Sequence, residues 1–237
     1  MNKKKILLII FSVIVALGIV GGCYYAYQYN KYYNIDPLTY EELEEKGIKE
    51  HNKLIIVAHP DDETLWAGAH MAEDGYFVVC VTNGNNETRS KEFNNILMAS
   101  EDKGVILNYP DKTFGERDDW DNVREEIIAD LTTIIEGNSW EVIATHNKDG
   151  EYGHQHHIMV NEFVTQICKD SGNEGKLYYF GKYYKATEID QAKDIPRVED
   201  EYLAKKEDLL KLYESQAKTV AKLSHMNPYE NWTSYSN

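Results

Sequence analysis

The sequence predicts a three-layer α/β/α domain built on a doubly wound, mostly parallel sheet and preceded by an apolar anchor helix. Three observations carry that expectation. Short, branched apolar runs at 54–58, 77–82, 105–108 and 141–145 alternate with helical stretches at 65–73, 91–103 and 123–136, which is the pattern of parallel strands joined by crossover helices. Polar, chemically capable residues follow the first and fourth runs at once, where open α/β sheets place their ligands. Ahead of both lies an apolar stretch from Ile6 to about Gly22.

In chain order, Lys3-Lys4-Lys5 and then Ile6 to Gly22 read as a membrane span, and Tyr24, Tyr25, Tyr27 and Tyr29 as its interfacial aromatic belt. The basic flank places the N-terminus in the cytoplasm and the rest of the chain outside the membrane or in a lumen, as a single-pass protein. The rival is a lipoprotein signal: Val20-Gly21-Gly22-Cys23 resembles a lipobox, in which Cys23 is acylated. A cleaved secretory peptide fits less well, because the apolar region is long and no small-x-small site closes it. The expected organisation is an anchor over 1–29, a linker over 30–50, and one globular domain over 51–237. In the linker, Pro37 bars a helix before it, Thr39 with Glu42 forms a capping box, and Gly47 stops the short helix.

Leu54-Ile55-Ile56-Val57 reads as a strand buried on both faces. Pro60 cannot continue a central strand but suits the first turn of a helix, so Ala58-His59-Pro60-Asp61-Asp62-Glu63 is a strand-to-helix turn. His59 and Asp62, at i and i+3, can face one ion. After the fourth strand, Gly153-His154-Gln155-His156-His157 repeats that spacing between His154 and His157, leading into the apolar-periodic 158–167. A catalytic zinc takes three His or carboxylate ligands and keeps a position open for water. One of His154 and His157 closes the set while the other faces substrate, and Asp61 is placed to act as general base. Taken singly, each cluster also reads as a helix start or a surface histidine group. The Asp-rich 108–120 lies on the ligand side, where Asp111 and Asp118 are either sugar contacts or solvated loop acids.

These residues, with Val81-Thr82-Asn83-Gly84, Arg89 and Glu92, Thr145-His146-Asn147, Gly150-Glu151-Tyr152, Leu177 to Phe180 and Lys206 to Gln216, resemble the LmbE-like, or PIG-L, family of zinc-dependent N-acetylglucosaminyl deacetylases. The resemblance implies a Rossmann-like fold and hydrolysis of an N-acetyl amide on a sugar carried by a glycan, glycolipid or glycoside. By similarity, His59, Asp62 and His157 hold Zn2+, with Fe2+ or another divalent ion as a substitute. Asp61 is the base, and His154 stabilises the oxyanion or, protonated, serves the leaving amine, which implies a bell-shaped pH dependence. Tyr152 polarises the carbonyl, and Arg89 contacts substrate. Glu63 is expected to serve the helix dipole and to back the ligands. Many relatives carry Asp where this chain has His156, so the orienting help of that Asp to His154 does not carry over.

A net charge of −15 argues against nucleic acid as a partner bound by charge. Cys23, Cys80 and Cys168 show no metal or redox spacing, and no disulfide is expected. Membrane tethering points to a surface glycan or lipid-linked amino sugar as substrate. A hydrolase of the same build acting on another amide or ester, and a non-catalytic sugar-binding module, are the competing functions.

Overall fold

The computed structural model describes residues 2–235 and divides the chain into two compact units, Met1–Asp36 and Pro37–Asn237. In the first, α1 (Lys3–Tyr33) starts behind Asn2, whose side chain accepts the Lys4 N–H at 3.2 Å. None of its side chains is buried, and it is long and apolar enough to cross a membrane, a test that signal sequences also pass. At ~1.5 Å per residue it exceeds a ~30 Å hydrocarbon core, so its tyrosine-rich last turns extend past its most apolar part.

The second unit opens with α2 (Tyr40–Glu45). Its capping box is complete: Thr39 Oγ1 accepts the Glu42 N–H at 3.2 Å and Glu42 Oε2 accepts the Thr39 N–H at 2.8 Å. Gly47 then takes φ +83°, a left-handed geometry that favours glycine, and the chain turns away. Leu43 and Ile48 are fully buried, so this segment belongs to the core of the unit.

Strands β1 (Lys53–Val57), β2 (Phe77–Thr82), β3 (Lys103–Tyr109), β6 (Val142–Thr145), β7 (Leu177–Tyr179) and β8 (Thr233–Ser234) form one six-stranded sheet in the order β3-β2-β1-β6-β7-β8. A hairpin of β4 (Lys112–Thr113) and β5 (Glu116–Arg117) stands apart from it. All pairs in the large sheet are parallel except β7 with β8. β1 lies between β2 and β6, so the sheet winds outward in both directions from it. Leu54 to Ala58 are wholly buried, as their unbroken apolar run requires.

Helices α3 (Asp62–Glu73), α4 (Glu87–Ser100) and α8 (Asp200–Leu210) pack over Ile55, Val57, Val78 and Cys80 on one face. On the other, α5 (Arg124–Glu136) meets α7 (Gln155–Asp170), which follows the short, kinked α6 (Gly150–Gly153) and also reaches β1, β6 and β7. A last helix, α9 (Ala217–Leu223), follows α8.

Several element boundaries differ from the sequence expectation, and two have a visible physical cause. The helix expected to reach Lys103 ends at Ser100, because Glu101 takes φ +63° and Asp102 Oδ1 accepts the Tyr76 N–H at 2.7 Å, pulling the chain into β3. The segment 206–216 is not one continuous helix, since α8 ends at Leu210. Ser215 sits on a separate turn held by Glu92, whose carboxylate accepts the Ser215 N–H at 2.7 Å and Oγ–H at 2.6 Å.

Candidate active site

The topology changes direction at β1, and the turn from β1 into α3 carries His59, Pro60, Asp61 and Asp62. Asp61 adopts φ +117°, an unfavourable conformation for a non-glycine residue, and its side chain makes no capping bond. Neighbours hold the turn in place. Glu63 Oε2 accepts the Asp61 N–H at 3.1 Å, and Glu63 Oε1 is fixed by Tyr213 O–H at 2.6 Å and Thr64 Oγ–H at 2.7 Å. From α4, Arg89 Nη2 donates to the Pro60 carbonyl and stands 3.6 Å from Asp61 Oδ2. The Asp61 side chain is thereby presented to a cleft of about 920 Å³. Burial, with Asp62 close by, raises its pKa well above the usual carboxylate range, against the opposing pull of Arg89.

Asp62 Oδ2 is the point of convergence. It accepts the His59 backbone N–H at 2.9 Å and lies 3.1 Å from both His59 Nδ1 and His157 Nε2. The tautomer of His157 follows from its other nitrogen. Nδ1 faces Glu151 Oε2 at 2.5 Å and, in the neutral ring, must donate to that carboxylate, leaving Nε2 with its lone pair. That Nε2 is buried without a hydrogen-bond partner, an expensive condition for a polar atom unless a cation meets it. Burial pushes the His157 pKa down, yet Asp62 and Glu151 outweigh it and raise it to about 10. The surroundings therefore favour positive charge at this spot. Among the described residues, three groups bring ligand atoms within 4.8 Å of one another, namely Asp62, His146 and His157; His59, His154 and His157; and His59, Asp111 and His156, and such imidazole and carboxylate sets fit a divalent ion.

His146 is adjacent but committed elsewhere. Its Nε2 accepts the Ala58 N–H at 3.0 Å and its Nδ1 donates to Glu151 Oε2 at 2.9 Å, while its ring stacks on His157 at 3.8 Å. Burial would raise the Glu151 pKa, but His146 and His157 hold it down to about 2. Glu151 can reach both rings because its backbone breaks out of helical geometry at φ +55° and ψ −79°.

The remaining expected residues are near but differently engaged. His154 packs 4.6 Å from the His59 ring and 4.4 Å from the His157 ring, and its buried Nδ1 has no hydrogen-bond partner. Burial, with His59 and His157 beside it, lowers its pKa to about 2, so this environment disfavours the protonated imidazole. Tyr152 is 43 % exposed at the cleft, between Tyr183 and the histidines. Burial of its hydroxyl and the nearby Asp62 raise its pKa, keeping the O–H as a donor. Of the two loop acids, Asp111 opens on the cleft 3.4 Å from His59 Nε2. Asp118 is buried and structural, accepting Trp120 N–H and Thr113 Oγ–H at 2.7 Å each.

Glu151, His146 and His156 received no role from sequence reasoning. The usable signal for Glu151 was an acid placed between two histidine-bearing segments; the signal for His156 was its departure from the family pattern.

Residues 54–168 match the PIG-L family, described as GlcNAc-PI de-N-acetylase. An uncharacterized protein of Acanthamoeba polyphaga mimivirus is 27 % identical, the alignment covering 72 % of this chain and 74 % of that one. Among solved structures, the pseudoaglycone deacetylase Dbv21 superposes with a TM-score of 0.54 at 15 % identity, over 74 % of this chain and 86 % of its own. A deacetylase of the teicoplanin biosynthesis pathway gives 0.54 at 15 %, over 71 % and 86 %. These two likenesses establish the fold. The family match runs from the first buried strand to the second cysteine of the domain, through the clustered histidines and the strained Asp61 turn, and it is residues 54–168 that are similar to the PIG-L family.

Proposed function

We propose that the chain is a membrane-tethered, metal-dependent deacetylase that hydrolyses the N-acetyl amide of an N-acetylglucosamine-type sugar, releasing acetate and a free amine. The observation that carries this reading is that His157 Nε2 and His59 Nδ1 each lie 3.1 Å from Asp62 Oδ2, with Asp61 on the same turn. The family description, GlcNAc-PI de-N-acetylase, and the two deacetylase neighbours support the reaction type. His59, Asp62 and His157 would hold the ion, Zn2+ or Fe2+. Bound there, it would supply Lewis acidity that polarises the acetyl oxygen and makes a water acidic near neutral pH.

The chain's own residues do the rest. Asp61, held on the cleft side of the turn by Arg89 and Glu63, takes a proton from the attacking water and returns it to the departing nitrogen. Arg89 keeps the Asp61 turn in place through the Pro60 carbonyl and lines the cleft where substrate binds. Tyr152 O–H donates to the acetyl oxygen as negative charge develops on it. His154, favoured in its neutral form, gives a second hydrogen bond to that oxygen. Tyr152 and Tyr183 offer aromatic faces to the sugar. With α1 as anchor and its basic flank in the cytoplasm, the cleft works outside the membrane on a surface glycan or lipid-linked sugar.

The test is metal content and acetate release by the full chain in detergent, for wild type and Asp61→Asn, over a panel of N-acetylglucosamine glycosides. Wild type should bind one ion per chain and release acetate. Asp61→Asn should bind it equally while turnover falls by about 10²–10⁴-fold. Bound ion with acetate from no substrate would move the activity to another amide or ester, or to sugar binding alone.

A further inference from the structure

His156 is fully buried at the start of α7 and has no part in the reaction as drawn above, yet both of its ring nitrogens are engaged. Nε2 lies 2.7 Å from the Asp118 carbonyl oxygen, which only accepts, so Nε2 carries the hydrogen. In the neutral ring, Nδ1 then carries a lone pair, and it lies 3.1 Å from His59 Nε2. Two lone pairs cannot face each other there, so His59 Nε2 is the donor. The Nδ1 of a neutral His59 is consequently the nitrogen with a free lone pair, and it is the one facing Asp62 Oδ2 at 3.1 Å.

We propose that His156 is a positioning residue that sets the tautomer and ring orientation of His59, so that Nδ1 is the nitrogen offered to the ion. The inference rests on the ligand set of the preceding section. The orienting path runs from the Asp118 carbonyl through His156 to His59 and ends at the ion. Asp111 Oδ1, 3.4 Å from His59 Nε2 and 3.7 Å from His156 Nδ1, is a second and more exposed acceptor for the same hydrogen. The loop after β3 clamps the relay. Trp120 stacks on the His156 ring at 4.0 Å with planes 6° apart, and its own Nε1–H is tied to the Pro110 carbonyl at 2.7 Å. An orienting partner on the far nitrogen of a metal-binding histidine typically changes metal affinity by about 10–100-fold.

The experiment measures zinc affinity by chelator competition, zinc stoichiometry and melting temperature for the full chain in detergent. It compares wild type with His156→Phe, which keeps the stacked ring without nitrogens, and His156→Asn, whose Oδ1 can still accept from His59. Wild type should bind one zinc, His156→Phe about 10–100-fold more weakly, and His156→Asn close to wild type. Long-range 15N–1H spectra of zinc-loaded wild type need no variant to fold, and should show His59 and His156 both protonated at Nε2. Equal affinity in His156→Phe, equal loss in both variants, or a His59 protonated at Nδ1 would overturn the proposal. Two zinc ions in wild type, one lost in both variants, would overturn it in favour of His59, Asp111 and His156 as a second metal site. A wild-type chain that binds no zinc or iron would sink the ligand set itself.

Discussion

Glu151 decides more of the site's chemistry than its position between two histidines announces. One carboxylate oxygen fixes His146 and His157 together, and the other accepts the Asn147 N–H at 3.0 Å. Glu151→Gln should weaken metal binding by about 10–100-fold and also lower the melting temperature, because a buried carboxylate held between two histidines loses its charge; chelator competition and thermal unfolding measure the two effects. His59, Asp61 and Asp62 were legible as neighbours because they lie on one turn, while spacing alone left His154 and His157 interchangeable as the distant partner. The partner role of Glu151 was not legible, since it depends on a left-handed backbone kink at a glutamate, which no residue preference signals. The Asp118 carbonyl beneath His156 was equally hidden: a main-chain oxygen has no sequence signature.

At the scale of elements, α3 is completed by residues far away in the chain. The buried pair Lys206 and Glu230, Nζ to Oε1 at 2.6 Å, docks on its middle. Lys206 Nζ donates to the Leu65 carbonyl at 2.7 Å, and Glu230 accepts the Ala69 N–H at 2.9 Å and the His70 N–H at 3.1 Å. Gly68 makes room, since a Cβ there would sit 2.9 Å from Lys206 Cγ. Burial would raise the Glu230 pKa, but Lys206 and His70 bring it down to about 2, against an ordinary 4.5. A depressed carboxylate stabilises the fold fully above its unfolded value and loses that contribution as pH falls toward its folded one. Glu230→Gln should therefore cost about 3–5 kcal/mol at neutral pH. The gap from wild type should narrow between pH 4.5 and about 2, as read by chemical denaturation across pH. The strands of the parallel core were legible from their apolar runs. β8 and the β4–β5 hairpin, at two residues per strand, are too short to show a period.

For the whole molecule, the boundary between its two compact units falls at Pro37. A chain beginning at Pro37 should remain in solution after detergent is removed and bind metal as the full chain does. A chain beginning at Lys53 loses buried Leu43 and Ile48. It should unfold with about 4–10 kcal/mol less stability, two large core side chains being removed, which denaturant melts would measure.

Glu230 braces the helix that begins with Asp62, a residue far earlier in the chain. During synthesis the histidines and aspartates therefore emerge long before their supporting helix can be finished. Firm support for the turn that carries Asp61 and Asp62 waits for Glu230 to be made, 168 residues after Asp62.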